Sequence, residues 1–271
     1  MKHVVIGNGE SRKWYCPSHQ MFGVPVTTWG CNAIYRNGKV DNLVAVDYGM
    51  QQEIYDSGYD GLCHFANWSV LPSSVADMML MGYDIPDDAF VHRSKNRTDN
   101  CVISGKDPVT LKERIDAAAE MFPSLDMKDL QMKMEKDVGV WITYVSEDDN
   151  INTIDFPVGW SAGNTALHLA CQSGAEEVYI LGFDLSSYDE PLNNMYKGTD
   201  NYLSSDARGF NPVNWQSQMQ TVFREFKDVN FYWVDATNNT SFYNFGQKEF
   251  IQENNLSYLT KAEFCDTLVI L

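Results

Sequence analysis

The chain opens on a short apolar run, His3-Val4-Val5-Ile6, that stops at Gly7-Asn8-Gly9. A β-branched run closed by paired glycines is how a buried parallel strand meets a tight turn. Further apolar runs follow at Ala33 to Tyr35, Leu43 to Val46, Val138 to Val145, Val178 to Leu181 and Phe231 to Val234, several of them separated by segments with helical spacing. Alternating strands and helices predict a mostly parallel sheet with helices on both faces, an α/β fold of Rossmann-like type.

Two helices are well signalled. Asp107-Pro108 supplies an N-cap and a first-turn proline ahead of Val109 to Met121, and Pro123 follows. A second helix runs from about Ala162 to Gln172, where Ala166, Leu167, Leu169 and Ala170 form a buried face and Gly174 suits a left-handed stop. Glu177-Val178-Tyr179-Ile180-Leu181-Gly182-Phe183-Asp184 then reads as a strand entering a loop. From Ser186 to Pro212 the chain is polar and irregular, with Tyr188, Tyr196, Tyr202, Lys197 and Arg208, and a segment of that length predicts a lid or binding loop. A helix from Val213 to Phe226, a strand from Asn230 to Val234 and a polar loop from Asp235 to Ser241 follow. No repeat interrupts this course, so one domain over 1–271, with 186–212 as its lid, is the expected organisation.

Charge and cysteines narrow the functions. With 37 acidic against 20 basic residues the formal charge is −17, which repels a phosphate backbone and disfavours binding to duplex nucleic acid. No apolar run has the length of a membrane span, and the start turns polar too early for a signal peptide, so a cytoplasmic protein is expected. Six scattered cysteines show no C-x-x-C pair and predict reduced, mostly buried thiols. The aromatics are numerous enough for an oligomer interface and few enough for a core of this size to absorb.

Candidate chemistry gathers at two turns. Gly7-Asn8-Gly9-Glu10-Ser11 lets the backbone turn sharply beside a ligand and is expected to leave amides free to cradle phosphate. Arg12 replaces the third glycine of the dinucleotide fingerprint, and no acidic residue closes the second strand, so a nicotinamide enzyme is disfavoured. Gly159-Trp160-Ser161-Ala162-Gly163-Asn164-Thr165 opens the second helix, whose first amides and positive dipole end suit an anion, although capping by Ser161 or Asn164 explains the same residues. Asp47, after the Leu43 to Val46 strand, is placed to bind a ribose hydroxyl or a metal. Glu147-Asp148-Asp149 offers carboxylates for Mg2+ or forms an acidic hairpin loop.

Ile6-Gly7-Asn8-Gly9-Glu10-Ser11, Gly30-Cys31-Asn32-Ala33-Ile34-Tyr35, and Ser161-Ala162-Gly163 leading through a helix to Glu177 to Asp184 resemble the bacterial CMP-sialic-acid-dependent sialyltransferases of the lipo-oligosaccharide type. They also resemble a wider group containing archaeal 6-hydroxymethyl-dihydropterin pyrophosphokinase-like proteins and phage-encoded proteins. The similarity covers the first fifty residues and roughly 157–190. It implies a GT-A-like fold in which Asn8, Asn32, Ala162 and Gly163, with Asn164 beside them, line a donor nucleotide. It also implies loop tyrosines, here Tyr188 and Tyr196, that hold the departing phosphate without a metal. The base implied by the resemblance is a histidine after the lid, and no histidine follows His168, so Asp184 is the first candidate base. Capping of the lid loop is its alternative role.

The expected function is therefore a glycosyltransferase with a nucleotide sugar donor and a small-molecule or glycan acceptor. Its binding residues are Gly7, Asn8, Gly9, Ser11, Asn32, Asp47 and Ser161 to Asn164, and Lys197 or Arg208 assists the leaving phosphate. Mg2+ is compatible with this reading but not required by it. The alternatives are a Mg2+-dependent pyrophosphokinase-like enzyme, using Asp47, Asp148 and Asp149, and a nucleotide-binding module without turnover.

Overall fold

Strand β1 (Lys2–Ile6) buries His3 through Ile6 without a break, the pattern of a strand covered on both faces. It pairs in parallel with β2 (Thr27–Cys31) on one side and β9 (Glu177–Leu181) on the other. From β1 the chain moves outward through β2, β3 (Asn42–Ala45) and β4 (Leu62–Ala66) to β8 (Ile151–Ile154) at the edge. It then returns to the far side of β1 for β9, β10 (Asn230–Val234) and β13 (Leu256–Leu259). The result is one eight-stranded sheet in which every pairing is parallel. The direction of winding reverses between β1 and β9, and in sheets of this kind the crevice beyond the strand ends at the reversal is where ligands bind.

This computed structural model describes residues 1–19, 22–66, 89–93, 101–105, 143–144, 150–154, 161–185, 191–209, 212–235, 241–244 and 247–268. The chain divides into two compact units, and the eight-stranded sheet lies in the one formed by Met1–Met50, Asp60–Ala66 and Asn150–Leu271. The other, Gln51–Tyr59 with Asn67–Asp149, contains an antiparallel sheet of β5 (Ala89–Arg93), β6 (Cys101–Gly105) and β7 (Thr143–Tyr144). The expected helix over 109–121, the acidic run 147–149 and Tyr188 lie outside the described residues. Among the described residues no helix is long and apolar enough to cross a membrane.

Both faces of the large sheet carry helices. Helix α2 (Ala162–Gln172) and helix α3 (Val213–Glu225) place Ala166, Leu167, Ala170, Met219, Val222 and Phe223 against Val5, Val178, Ile180, Phe231 and Trp233. The Val, Leu, Ile, Phe and Met side chains among these stabilise by roughly 1.5–3 kcal/mol each when fully buried. Tyr179, one residue out of phase with Val178 and Ile180, points to the opposite face, where its ring meets Phe264 of helix α4 (Lys261–Leu268) at 5.8 Å. Helix α2 starts where Ser161 Oγ accepts from the Asn164 amide at 3.2 Å, and it ends before Gly174, whose φ of +90° only glycine adopts readily.

One predicted strand is displaced. Ala33 to Tyr35 lies in a 3-10 turn, Asn32–Asn37, and the strand is the preceding β2. Asn32 takes a left-handed φ of 51°, which ends the strand and sends Ala33 and Ile34 into the core by another route.

A polar cluster is buried among the strands on the α2 side. The Trp29 indole donates to His3 Nδ1 at 3.0 Å, and His64 Nε2 pairs with Asn42 Oδ1 at 3.0 Å. Burial lowers the pKa of His3, with the N-terminal amine adding to it, and lowers that of His64 to about 4. Both imidazoles are thus neutral in the folded state at neutral pH. An unfolded chain protonates His64 near pH 6.5 and the folded chain near 4, so stability is held above 6.5 and lost as pH falls between these values. His64→Gln, which keeps a donor for Asn42, is expected to recover roughly 2 kcal/mol of the stability that the parent loses between pH 7 and 4.5, measured by urea unfolding at both pH values.

Candidate functional site

The loops leaving β1 and β9 pack directly on each other at the switch point. The Gly7 amide donates to the Leu181 carbonyl at 2.7 Å and the Gly9 amide to that of Gly182 at 2.8 Å. A methyl group on Gly7 would stand 2.4 Å from the Gly182 oxygen, and one on Gly9 would stand 2.4 Å from Asp184 Cγ. These two glycines therefore exist to let the loops touch. The Glu10 amide donates to Asn193 Oδ1 and the Ser11 amide to Asp184 Oδ2, at 2.8 and 2.7 Å. Of the amides expected to be free for a phosphate, those of Gly7, Gly9, Glu10 and Ser11 are engaged within the protein.

Above this junction lies a cavity of about 450 Å3. Its walls bring together Gly7, Asn8 and Gly9 after β1, Asn32 after β2, Asp47 beyond β3, Ser161 to Asn164 at the start of α2, and Asp184 after β9. Segments separated by more than a hundred residues thus meet at one place. Ser11 and Tyr196, both expected at the site, do not line it. Ser11 lies behind Asp184, to which its hydroxyl also donates, and Tyr196 is buried in a separate contact.

Asp184 is held as a structural cap. Burial raises its pKa, opposed by hydrogen bonds from Ser11 and Asn193 that favour the charged form. Asp47 is exposed to the cavity, and partial desolvation by the surrounding protein raises its pKa as well. Beside it the Cys31 thiol is fully enclosed and pushed up to about 12, so it is protonated and inert at neutral pH.

The polar loop seen in the sequence closes over this rim. Its ends meet where Pro191 bridges Arg208 and the Leu192 amide donates to Ala207 at 2.9 Å. The Met195 amide donates to the Asn8 carbonyl at 2.8 Å, and Arg36 donates to Thr199 Oγ1 at 2.8 Å. Beneath the loop Arg12, only 1% exposed, donates to the Gly7 carbonyl, to Asn8 Oδ1 at 3.4 Å and to the Tyr196 hydroxyl at 3.1 Å, while Tyr196 donates to Asn37. The residue that stands in place of a third fingerprint glycine is thus the bolt that fastens the loop. Lys197 pairs with Glu10 at 3.1 Å, and neither it nor Arg208 lines the cavity.

Tyr202 is the loop tyrosine that reaches the cavity. Its oxygen accepts from Asn8 Nδ2 at 3.1 Å and from the Ala33 amide at 3.3 Å. With both lone pairs occupied, the phenol retains its proton as a donor, and burial raises its pKa. Sequence reasoning noted this tyrosine without assigning it to the site, because nothing in the local sequence separates it from Tyr188 and Tyr196.

The lining also includes the apolar side chains of Phe183, Leu185, Leu192, Leu203, Trp215 and Met219, and the Phe183 ring lies against Gly163. Asn164, 1% exposed, donates to the Trp215 carbonyl at 3.1 Å and to Gln218 Oε1 at 3.0 Å. The backbone acceptor fixes which way its amide points. Asn164 Oδ1 and Asn32 Oδ1 are buried without a partner in the residues described. No lysine, arginine or histidine is among the described lining residues, and of these the first amides of α2 offer favourable potential for an anion. Among the described residues no group of three or more His, Cys, Asp or Glu is arranged to hold a metal ion.

No family model, curated protein or solved structure matches the chain.

Gly7→Ala is expected to lower stability by about 2 kcal/mol or more, because the added methyl meets a backbone oxygen that cannot rotate away. A thermal midpoint equal to the parent's would contradict the reason given for this glycine.

Proposed function

We propose that the cavity binds the nucleotide of an activated sugar and that the protein is a glycosyltransferase. The observation that carries this reading is the convergence of Asn8, Asn32, Asp47 and the Ser161 to Asn164 turn on one cavity at the switch point. In this reading the phosphate lies at the start of α2, where the Ala162 and Gly163 amides and the helix dipole favour negative charge. The Ser161 hydroxyl, whose oxygen already accepts from Asn164, is a further donor there. The unpaired oxygens of Asn32 and Asn164 suit a ligand that brings N–H or O–H donors, since a buried acceptor left unpaired costs about 1–3 kcal/mol.

The role that the family resemblance implies for loop tyrosines falls to Tyr202. Its hydroxyl proton is the donor offered to the oxygen of the departing phosphate, and Asn8 and the Ala33 amide hold the phenol in that orientation. Tyr196 acts through the loop clasp instead. The polar lining residues would hold the nucleotide, and the apolar ones would meet the less polar face of donor or acceptor. The pyrophosphokinase-like reading would place ATP on the same floor with Mg2+, drawing on Asp47.

A thermal-shift panel of CMP, CDP, UDP, GDP, ADP, ATP and representative nucleotide sugars, each with Mg2+ and with EDTA, tests the proposal. Stabilisation by a cytidine or uridine ligand that persists in EDTA is expected. A shift seen only for ATP and lost in EDTA would favour phosphoryl transfer, and no shift with any ligand would overturn the nucleotide site. For a donor that is turned over, Tyr202→Phe is expected to slow nucleotide release by roughly a hundredfold, the scale for removing one donor to a developing anion.

A further inference from the structure

Two carboxylates line the cavity, and the protein holds them in opposite ways. Asp184 accepts from the Ser11 amide at 2.7 Å and from the Ser11 hydroxyl, receives a further bond from Asn193, and fills the space beside Gly9. Protonating it would break bonds that join the β1 and β9 loops. Asp47 projects from the residue after Val46 into the cavity and has neither a hydrogen bond nor an ion pair with any described residue. Its backbone stands on a dry footing of Cys31, Val46, Ala66 and Ala162, all buried. A group that must take up a proton and release it each cycle needs an open lone pair on a rigid support, and only Asp47 has both.

We propose that Asp47, and not Asp184, is the general base of this site. The inference rests on the glycosyltransferase reading above. As the acceptor hydroxyl attacks the anomeric carbon, its proton passes to the Asp47 carboxylate and its oxygen forms the new C–O bond. The bond from the anomeric carbon to the phosphate oxygen breaks, and its electron pair stays on the nucleotide, whose new charge the Tyr202 hydroxyl meets with a hydrogen bond. Asp47 then returns its proton to water.

The electrostatic surroundings suit the assignment. Among the described residues, the titratable groups sharing the cavity with Asp47 are the protonated Cys31 thiol, the protonated Tyr202 phenol and the Asp184 carboxylate, and no cation lines it. With desolvation raising its pKa and no charge partner lowering it, the Asp47 carboxyl sits nearer to neutral pH than an ordinary aspartate.

The test uses CMP-N-acetylneuraminate with water as acceptor, following CMP release across pH in the parent, Asp47→Asn and Asp184→Asn, with CMP binding measured separately by thermal shift. Asp47→Asn is expected to lower kcat by about a hundredfold or more, to change KM by less than about threefold, to keep the CMP shift, and to abolish the acid limb of the kcat profile. Asp184→Asn is expected to lower the thermal midpoint while that limb persists. The assignment is overturned if Asp47→Asn retains the acid limb with kcat near the parent's. It is equally overturned if that variant raises KM and loses the CMP shift at unchanged kcat, which would make Asp47 a ribose contact. A parent protein that binds CMP yet releases none from this donor would remove the transfer reading and the base with it, whereas turnover that is indifferent to Asp47 removes the base alone.

Discussion

Everything at the candidate site depends on how closely the β1 and β9 loops approach each other. Two backbone hydrogen bonds, from the Gly7 and Gly9 amides to the carbonyls of Leu181 and Gly182, continue the β1–β9 pairing past the end of the sheet. That continuation brings Asp184 under Ser11 and Arg12 under Gly7 and Asn8, and it leaves no room for a Cβ at Gly7 or Gly9. The floor of the cavity is thereby a rigid product of backbone geometry, and the 191–209 loop attaches to it through Asn8, Glu10 and Arg12. Burying a guanidinium as Arg12 does is costly unless its donors are matched. Three acceptors, Gly7, Asn8 and Tyr196, match its Nε and Nη2 and tie loop to floor, while Nη1 is buried without a partner among the described residues.

A protein with a formal charge of −17 repels anions in general, and among the described residues no cationic side chain lines the cavity. Attraction for phosphate must then be local. The capped start of α2 is the natural source, since its first amides and its dipole act over a few ångströms and are little affected by distant surface charge. The same scarcity of cations leaves Asp47 without a partner, and its chemistry is set by desolvation rather than by a salt bridge. In this way one compositional fact bears both on where an anion sits and on which carboxylate stays free to react.

Much of this was legible in the sequence wherever local pattern decides local structure. The run Val178 to Leu181 read as a strand, which the structure buries in the sheet, and Ser161 with Gly174 marked the two ends of α2. The parallel sheet followed from that alternation. Strand β2 was missed because Thr27-Thr28-Trp29-Gly30-Cys31 mixes polar residues with a glycine, while the apolar Ala33 and Ile34 beside it drew attention to the wrong segment. The glycine turn was visible as a turn, but its reason was not. Asp184 and Gly182 lie more than 170 residues away in sequence, so the fate of the Gly9 and Ser11 amides is set by tertiary packing. The same holds for the tyrosines: Tyr196 and Tyr202 are six residues apart in one polar loop, and only the folded loop turns one toward Arg12 and the other toward the cavity.

The central claim is that the α2 start, and not the glycine turn after β1, receives the anionic part of the ligand. Amide hydrogen exchange with and without saturating CMP tests it directly. Gly7, Gly9 and Ser11 are expected to exchange slowly in the free protein and to change little, while Ala162 to Asn164 and the loop around Tyr202 gain protection when the nucleotide binds. Rapid exchange at Gly7 to Ser11 in the free protein, slowed by CMP while Ala162 to Asn164 stays unaffected, would contradict it.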